Sequence, residues 1–323
     1  MCKMFGVDMN HLANIIKSTD KVGGLTEKAA AELGLKAGTM VFGGGGDASL
    51  IGVGAGSVGL RDTHVYVGTS GWVSTVVDKS LADTSAMIAA TVGARPGYYN
   101  YFAELETAGK CLEWVKDHLA LDEIGIYLNK TDVAEDMESQ YTSLYQYMSA
   151  VTEQVPAGSN GVIFTPWLHG NRCPFEDPNA RAMFFNISLE TGKSELIRAV
   201  AEGVCMHLRW FLETIEKKTE TSQIIRFVGG GALSDSTSQI LADCTGRTVE
   251  TVPSPQNVGA VGAAVVIAVG LGIIDSIDDA GKLIKVDKIF KPNPANKAAY
   301  DKNFKAYKEI YKANKNIFEI LNG

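Results

Sequence analysis

Residues 43–56 read GGGGDASLIGVGAG, with a carboxylate directly after four glycines. Two further glycine turns follow downstream, GTSG at 68–71 and GGGALSD at 229–235. Glycine has no Cβ, so successive backbone N–H groups can converge on an oxyanion. Phosphate oxygens are held in such concavities, above all where the turn opens a helix. Three turns of this kind, two of them opening helices, point to a phosphate-bearing ligand. Asp47 has two compatible readings. It can cap a helix by accepting free N–H groups, or it can stand beside a phosphate, taking a proton from a hydroxyl or arranging a metal. Thr69 and Ser70 can likewise close their turn or contact phosphate.

Two familiar phosphate motifs are excluded. Gly54, Gly56 and Gly59 match GxGxxG in form, but they follow an apolar helical stretch rather than a strand, so the dinucleotide context is missing. No GxxxxGK[ST] sequence occurs. His169 and Arg172 sit in a Pro-containing loop, where an arginine is either solvated or, near a phosphate, functional.

These residues need elements to position them. Asp8 is expected to cap a short helix through Lys17, and Thr26 a second one ending at Gly34. TMVFGG reads as a strand entering the glycine run. β-like stretches follow at 64–71, 72–77, 86–92 and 97–105, rich in β-branched and aromatic residues. ETAGKCLEWVKDHL and 131–150 read as helices, and 161–167 and 182–188 as strands flanking the loop. A long helix is expected from Ser194 to Lys218, then a strand into GGGA, a helix ending at Gly246, and a strand at 247–252. The uncharged run 258–274 is short of the ~20 residues of a membrane span and is predicted to be a buried helix. Tyr300, Phe304, Tyr307 and Tyr311 share one face of a C-terminal helix over 295–321. The alternation predicts an α/β fold with a mixed sheet, since some adjacent strands lack intervening helices.

The whole chain sets bounds. It has 323 residues, a net charge of −7, 46% hydrophobic and 21% charged residues, near the norm for globular proteins. The acidic balance argues against nucleic acid as a partner. Cys2, Cys111, Cys173, Cys205 and Cys244 are scattered, which fits reduced thiols rather than zinc or a disulfide framework. MCKMFGVDMN lacks the apolar run of a signal peptide, so a cytoplasmic location and no membrane association are expected.

The ordered set GGGGD, GTSG, AGKCLEW, GNRCPFEDPNARAMFFNIS and GGGALSD resembles the C-terminal, ATP-binding half of the FGGY carbohydrate kinases, most closely the xylulokinase-like branch. The resemblance implies an actin/hexokinase-like fold of RNase-H-like topology, with ATP and Mg2+ as cofactors and a small sugar as partner. It implies that Asp47 is the catalytic base meeting a sugar hydroxyl, with Ala48 beside the sugar. Gly68, Thr69 and Ser70 then form the turn at the ATP phosphates. Gly109 and Glu113 border the nucleotide, and Gly230, Gly231 and Asp235 lie near the adenosine. Three positions depart from the family pattern. No DxGT-type hairpin occurs, Ala48 stands where Asn or Gln is usual, and Asn186 stands where glycine is common.

From these, residues 1–40 are expected to be a linker remnant with entry helices, and 41–323 the C-terminal lobe, the sugar-binding N-terminal lobe being absent. The chain alone is then expected to be the inactive half of a kinase for a ketopentose-like sugar. The alternative is a non-catalytic nucleotide-binding or scaffold module that pairs with a separate N-terminal lobe. A second copy of the chain as partner is left open.

Overall fold

The structure, a computed structural model, describes residues 2–120 and 144–323. At the N-terminus, α1 (Cys2–Phe5) precedes an antiparallel ribbon of β1 (Lys21–Gly24) and β2 (Met40–Phe42) that flanks α2 (Glu27–Leu33). Thr26 caps α2 by accepting the Ala29 N–H at 3.3 Å, and Gly34 ends it in the left-handed conformation. Asp8 caps only a single 3-10 turn, Met9–His11, rather than a helix reaching Lys17. Nothing in that turn is buried, and a short helix without packing does not sustain itself.

α3 (Asp47–Gly54) follows the glycine run and leads to the central sheet. Its first five strands in the chain are β3 (Thr63–Val67), β4 (Gly71–Val77), β5 (Ala82–Asp83), β6 (Ile88–Val92) and β7 (Tyr99–Leu105). α4 (Gly109–Val115) and α5 (Leu144–Gln154) come next. The helix expected over 131–150 is α5 at its C-terminal end, and its first part lies outside the described residues. A small antiparallel ribbon, β8 (Ile163–Thr165) and β9 (Met183–Phe185), brackets the Pro-containing loop. Asn186, where glycine was the family norm, takes φ 67°, a left-handed conformation that asparagine tolerates.

α6 (Lys193–Ile215), β10 (Ile224–Val228), α7 (Asp235–Thr245), β11 (Thr248–Thr251), α8 (Val258–Gly270), β12 (Ile289–Phe290) and α9 (Lys297–Asn322) complete the chain. The eight strands run in the order β12-β11-β10-β3-β4-β7-β6-β5. β10 is parallel to both β3 and β11, and the other pairs are antiparallel. This is the mixed sheet flanked by helices of the actin/hexokinase-like fold.

Helices cover both faces. α6 buries Ile197, Val200, Val204, Leu208, Phe211 and Ile215, one stripe at helical spacing, in the main core. α9 docks there through Tyr300, Phe304 and Tyr307. On the opposite face α3 and α8 pack together above Trp72 and Val228. Their backbones nearly touch. A Cβ on Gly54 would stand 1.8 Å from the Val258 carbonyl oxygen, and one on Gly262 1.9 Å from that of Leu50. That contact explains the small residues in both segments. α8 is apolar all round, yet only Val258, Gly262, Val265 and Val266 are buried, and Ile267 remains 40% exposed. The predicted buried helix is therefore buried on one face, the one lying against α3. Among the described residues no helix is long and apolar enough to cross a membrane.

Candidate nucleotide cleft

The three strands that precede glycine turns are placed so that two of the turns meet. β3 and β10 are parallel neighbours, so GTSG and GGGA leave the same end of the sheet. The GTSG turn is the β3–β4 hairpin connection, closed by the Gly68 N–H donating to the Ser70 carbonyl at 2.9 Å. The start of α4 docks on it. Gly109 donates its N–H to the Gly68 carbonyl at 2.9 Å, and the Lys110 N–H donates to that of Thr69 at 3.1 Å. Glycine is required at this contact, because a Cβ at Gly109 would stand 2.2 Å from the Gly68 oxygen. From the other side, a Cβ on Gly231 would stand 2.7 Å from Val67 Cγ1.

These contacts border a cleft of about 740 Å³. Gly68, Thr69, Gly109, Glu113, Gly230 and Gly231 line it together. Its apolar wall is Leu112, Met148, Ile197, Ala201 and Leu233. Lys110 and Glu113, an ion pair at 2.7 Å, lie at its rim.

One wall was not anticipated from sequence. Ser149 and Thr152 of α5 meet Ser234, Ser236 and Thr237 at the start of α7. Ser149 Oγ lies 3.0 Å from Ser234 Oγ and 2.8 Å from Ser236 Oγ, and Thr152 Oγ1 lies 3.0 Å from Ser236 Oγ. Ser234 caps α7 by accepting the Thr237 N–H. Serines at a cap read as local structure, and only the tertiary approach of α5 turns them into a polar cavity wall.

Ser70 and Asp235 do not line this cleft. Asp235 stands exposed at the start of α7, held by Lys288 Nζ at 2.8 and 2.9 Å. Arg172 is paired with Glu104 and Glu106 at 2.6 and 2.8 Å and also lies off the cleft.

Asp47 and Ala48 are outside the cleft lining but close to its turns. Asp47 is the exposed first residue of α3, and its Oδ1 accepts the N–H of Ala48 at 2.8 Å. The cap position is Gly46, which offers no side chain. Ala48 packs in the apolar cluster that includes Tyr66 and Trp72. Tyr66 is not a lining residue, but its hydroxyl lies against Gly68, which is; burial first, and the negative Asp47 second, raise its phenol above the ordinary value.

The model of the FGGY family of carbohydrate kinases, C-terminal domain, matches residues 64–271, and that of the N-terminal domain matches residues 1–54. A xylulose kinase from Bacillus subtilis (strain 168) is 27% identical over 99% of this chain and 60% of its own length. A gluconokinase from the same strain is 26% identical over 87% of this chain and 53% of its length. The crystal structure of a ligand-bound xylulose kinase from Lactobacillus acidophilus superposes with a TM-score of 0.84 at 26% identity, covering 99% of this chain and 61% of that one. The chain thus spans about 53–61% of the length of these relatives.

The match at residues 1–54 corrects the expectation of a C-terminal lobe with its N-terminal lobe absent. Neither the inactive isolated lobe nor the scaffold awaiting a separate N-terminal partner stands with it. The expectation relied on one marker, a DxGT-type hairpin, and the matched segment is recognised without that hairpin. Asp47 itself falls within this segment. The chain belongs to the FGGY family of carbohydrate kinases.

Proposed function

We propose that the protein is an ATP-dependent sugar kinase, with the cleft as its nucleotide site. The observation that carries this reading is that Gly68, Thr69, Gly109, Glu113, Gly230 and Gly231 face one cavity. Bare amides at the GTSG turn can hold phosphate oxygens, as backbone N–H groups do in other phosphate cradles. The apolar wall and the hydroxyls of Ser149 and Ser236 suit a flat, partly polar base. Mg2+ bound with the nucleotide would offset phosphate charge. Among the described residues no three His, Cys, Asp or Glu side chains converge.

Phosphoryl transfer asks the protein mainly to position groups and to stabilise charge. The exposed carboxylate of Asp47 accepts the proton of the attacking hydroxyl. Its Oδ1 is anchored by the Ala48 N–H, which leaves Oδ2 for this task. General-base help of this kind contributes roughly 10²–10⁴-fold. Ala48 offers no hydrogen bond to a sugar, so acceptor recognition falls to other residues. The acceptor we propose is a ketopentose of the xylulose type, a choice supported by the relatives named xylulose kinases.

The test is calorimetric titration with MgATP and with NAD, followed by coupled detection of ADP release with D-xylulose and with gluconate. MgATP binding without NAD binding, and xylulose-dependent ADP release, are expected. Saturable NAD binding in place of ATP would overturn the reading.

A further inference from the structure

Tyr66 is wedged between the two glycine turns of the cleft. A Cβ on Gly68 would stand 2.2 Å from its hydroxyl oxygen, and one on Gly229 3.1 Å from its Cδ2. The ring is fixed from behind. It stacks on Trp72 with centroids 4.1 Å apart, and the Trp72 Nε1–H donates to His64 Nε2 at 3.1 Å. Ala48 packs in the same cluster, beside Asp47. The hydroxyl end is therefore in contact with the GTSG turn and within electrostatic reach of Asp47. Its phenol keeps its proton at neutral pH, since burial and Asp47 both raise it. Among the described residues nothing accepts that hydrogen.

With phosphate at the GTSG turn and an acceptor hydroxyl at Asp47, Tyr66 is the side chain that touches the one and feels the charge of the other. We propose that the Tyr66 hydroxyl is a ligand of the transferring phosphoryl group, donating to a γ-phosphate oxygen of ATP between the GTSG turn and Asp47. The inference rests on the nucleotide reading of the cleft and adds a residue to it. A neutral donor at this point stabilises charge on the group in flight without competing with Asp47 for protons. ADP lacks that phosphate and does not reach the hydroxyl.

The difference between ATP and ADP gives the test. Tyr66→Phe keeps the ring on Trp72 and removes one oxygen. MgATP and MgADP affinities are measured by calorimetry for both proteins, with melting temperatures as a control on folding. The variant is expected to bind MgATP about tenfold more weakly, as for loss of one hydrogen bond to a charged group, with MgADP affinity within about twofold. If both affinities fall together, or neither changes, the inference is overturned and the nucleotide site stands. If the unaltered protein binds neither nucleotide, both readings fall.

Discussion

Gly54 and Val258 meet backbone to backbone. No side chain larger than hydrogen fits at Gly54, because its Cβ would lie 1.8 Å from the Val258 carbonyl oxygen. Gly262 repeats the arrangement against Leu50. This crossing holds α3, and hence Asp47 at its start, against the sheet. Gly54→Ala and Gly262→Ala are each expected to lower stability by about 3 kcal/mol, the upper range for overpacking. Gly259→Ala is the control in the same helix, since its nearest neighbour would be Ile51 Cγ1 at 3.6 Å. It is expected to be neutral or stabilising by up to ~1 kcal/mol from helix propensity. Urea unfolding of the three variants separates the outcomes.

Glu202 is a buried charge on which several segments depend. Its oxygens accept from Arg198 Nε at 2.7 Å, Tyr300 Oη at 3.0 Å, the Gly158 N–H at 2.9 Å and Ser159 Oγ at 2.8 Å. Arg198 also donates to the Thr152 carbonyl, at the end of the helix that forms the cleft wall. Glu202→Ala strands a buried guanidinium and is expected to cost about 3–5 kcal/mol in urea unfolding. MgATP affinity should fall with it, because α5 loses its anchor. An unchanged midpoint would show that the network adds nothing to the fold.

Two buried histidines set a pH dependence. His64 accepts from Trp72, and His207 lies 2.8 Å from the Cys173 carbonyl and 2.7 Å from the Tyr307 hydroxyl. Burial pushes each imidazole down to about 4 from an ordinary value of 6.5. Between pH 6.5 and 4 the unfolded chain therefore binds protons that the folded chain refuses. Stability is fully present above pH ~6.5, falls as pH drops through that window, and levels off below it. Each group accounts for up to ~3 kcal/mol. Thermal melts should be flat between pH 7 and 8 and decline from pH 6.5 to 5. A flat profile across that interval would mean that both rings take up protons in the fold as readily as in the unfolded chain.

Much of this architecture was legible in the sequence. α2, α6, α7 and α9 announce themselves through caps, terminal glycines and apolar stripes, and their ends fall within a few residues of the expected places. The turns GTSG and GGGA were legible as glycine turns that follow strands, and parallel pairing of β3 with β10 brings both to one cleft. What escaped was set by tertiary approach. KVGG pairs as β1 only because Met40–Phe42 lies alongside it. Ser149 and Thr152 become a cleft wall only where α5 meets α7. Tyr66 reads as an ordinary strand aromatic until Gly68 and Gly229 close on it. The N-terminal segment escaped because a single hairpin motif stood for a whole domain.

Asp47 separates chemistry from structure. Its side chain is exposed and makes one local hydrogen bond, to Ala48. Asp47→Asn is therefore expected to leave the melting temperature and MgATP affinity unchanged and to lower turnover roughly 10²–10⁴-fold. Turnover at the original rate would reduce Asp47 to a residue of the first helical turn.

Gly230 offers the most direct test of the nucleotide cleft itself. It lines the cavity, and a Cβ there would meet nothing within 4 Å, so a larger side chain enters open space without disturbing the fold. The measurement is the MgATP affinity of Gly230→Leu against the original protein, with both melting temperatures recorded. A loss of affinity of ~100-fold, the upper range of overpacking costs converted to affinity, with an unchanged melting temperature, is the expected result. MgATP bound equally well by the variant would contradict the placement of the nucleotide between the glycine turns.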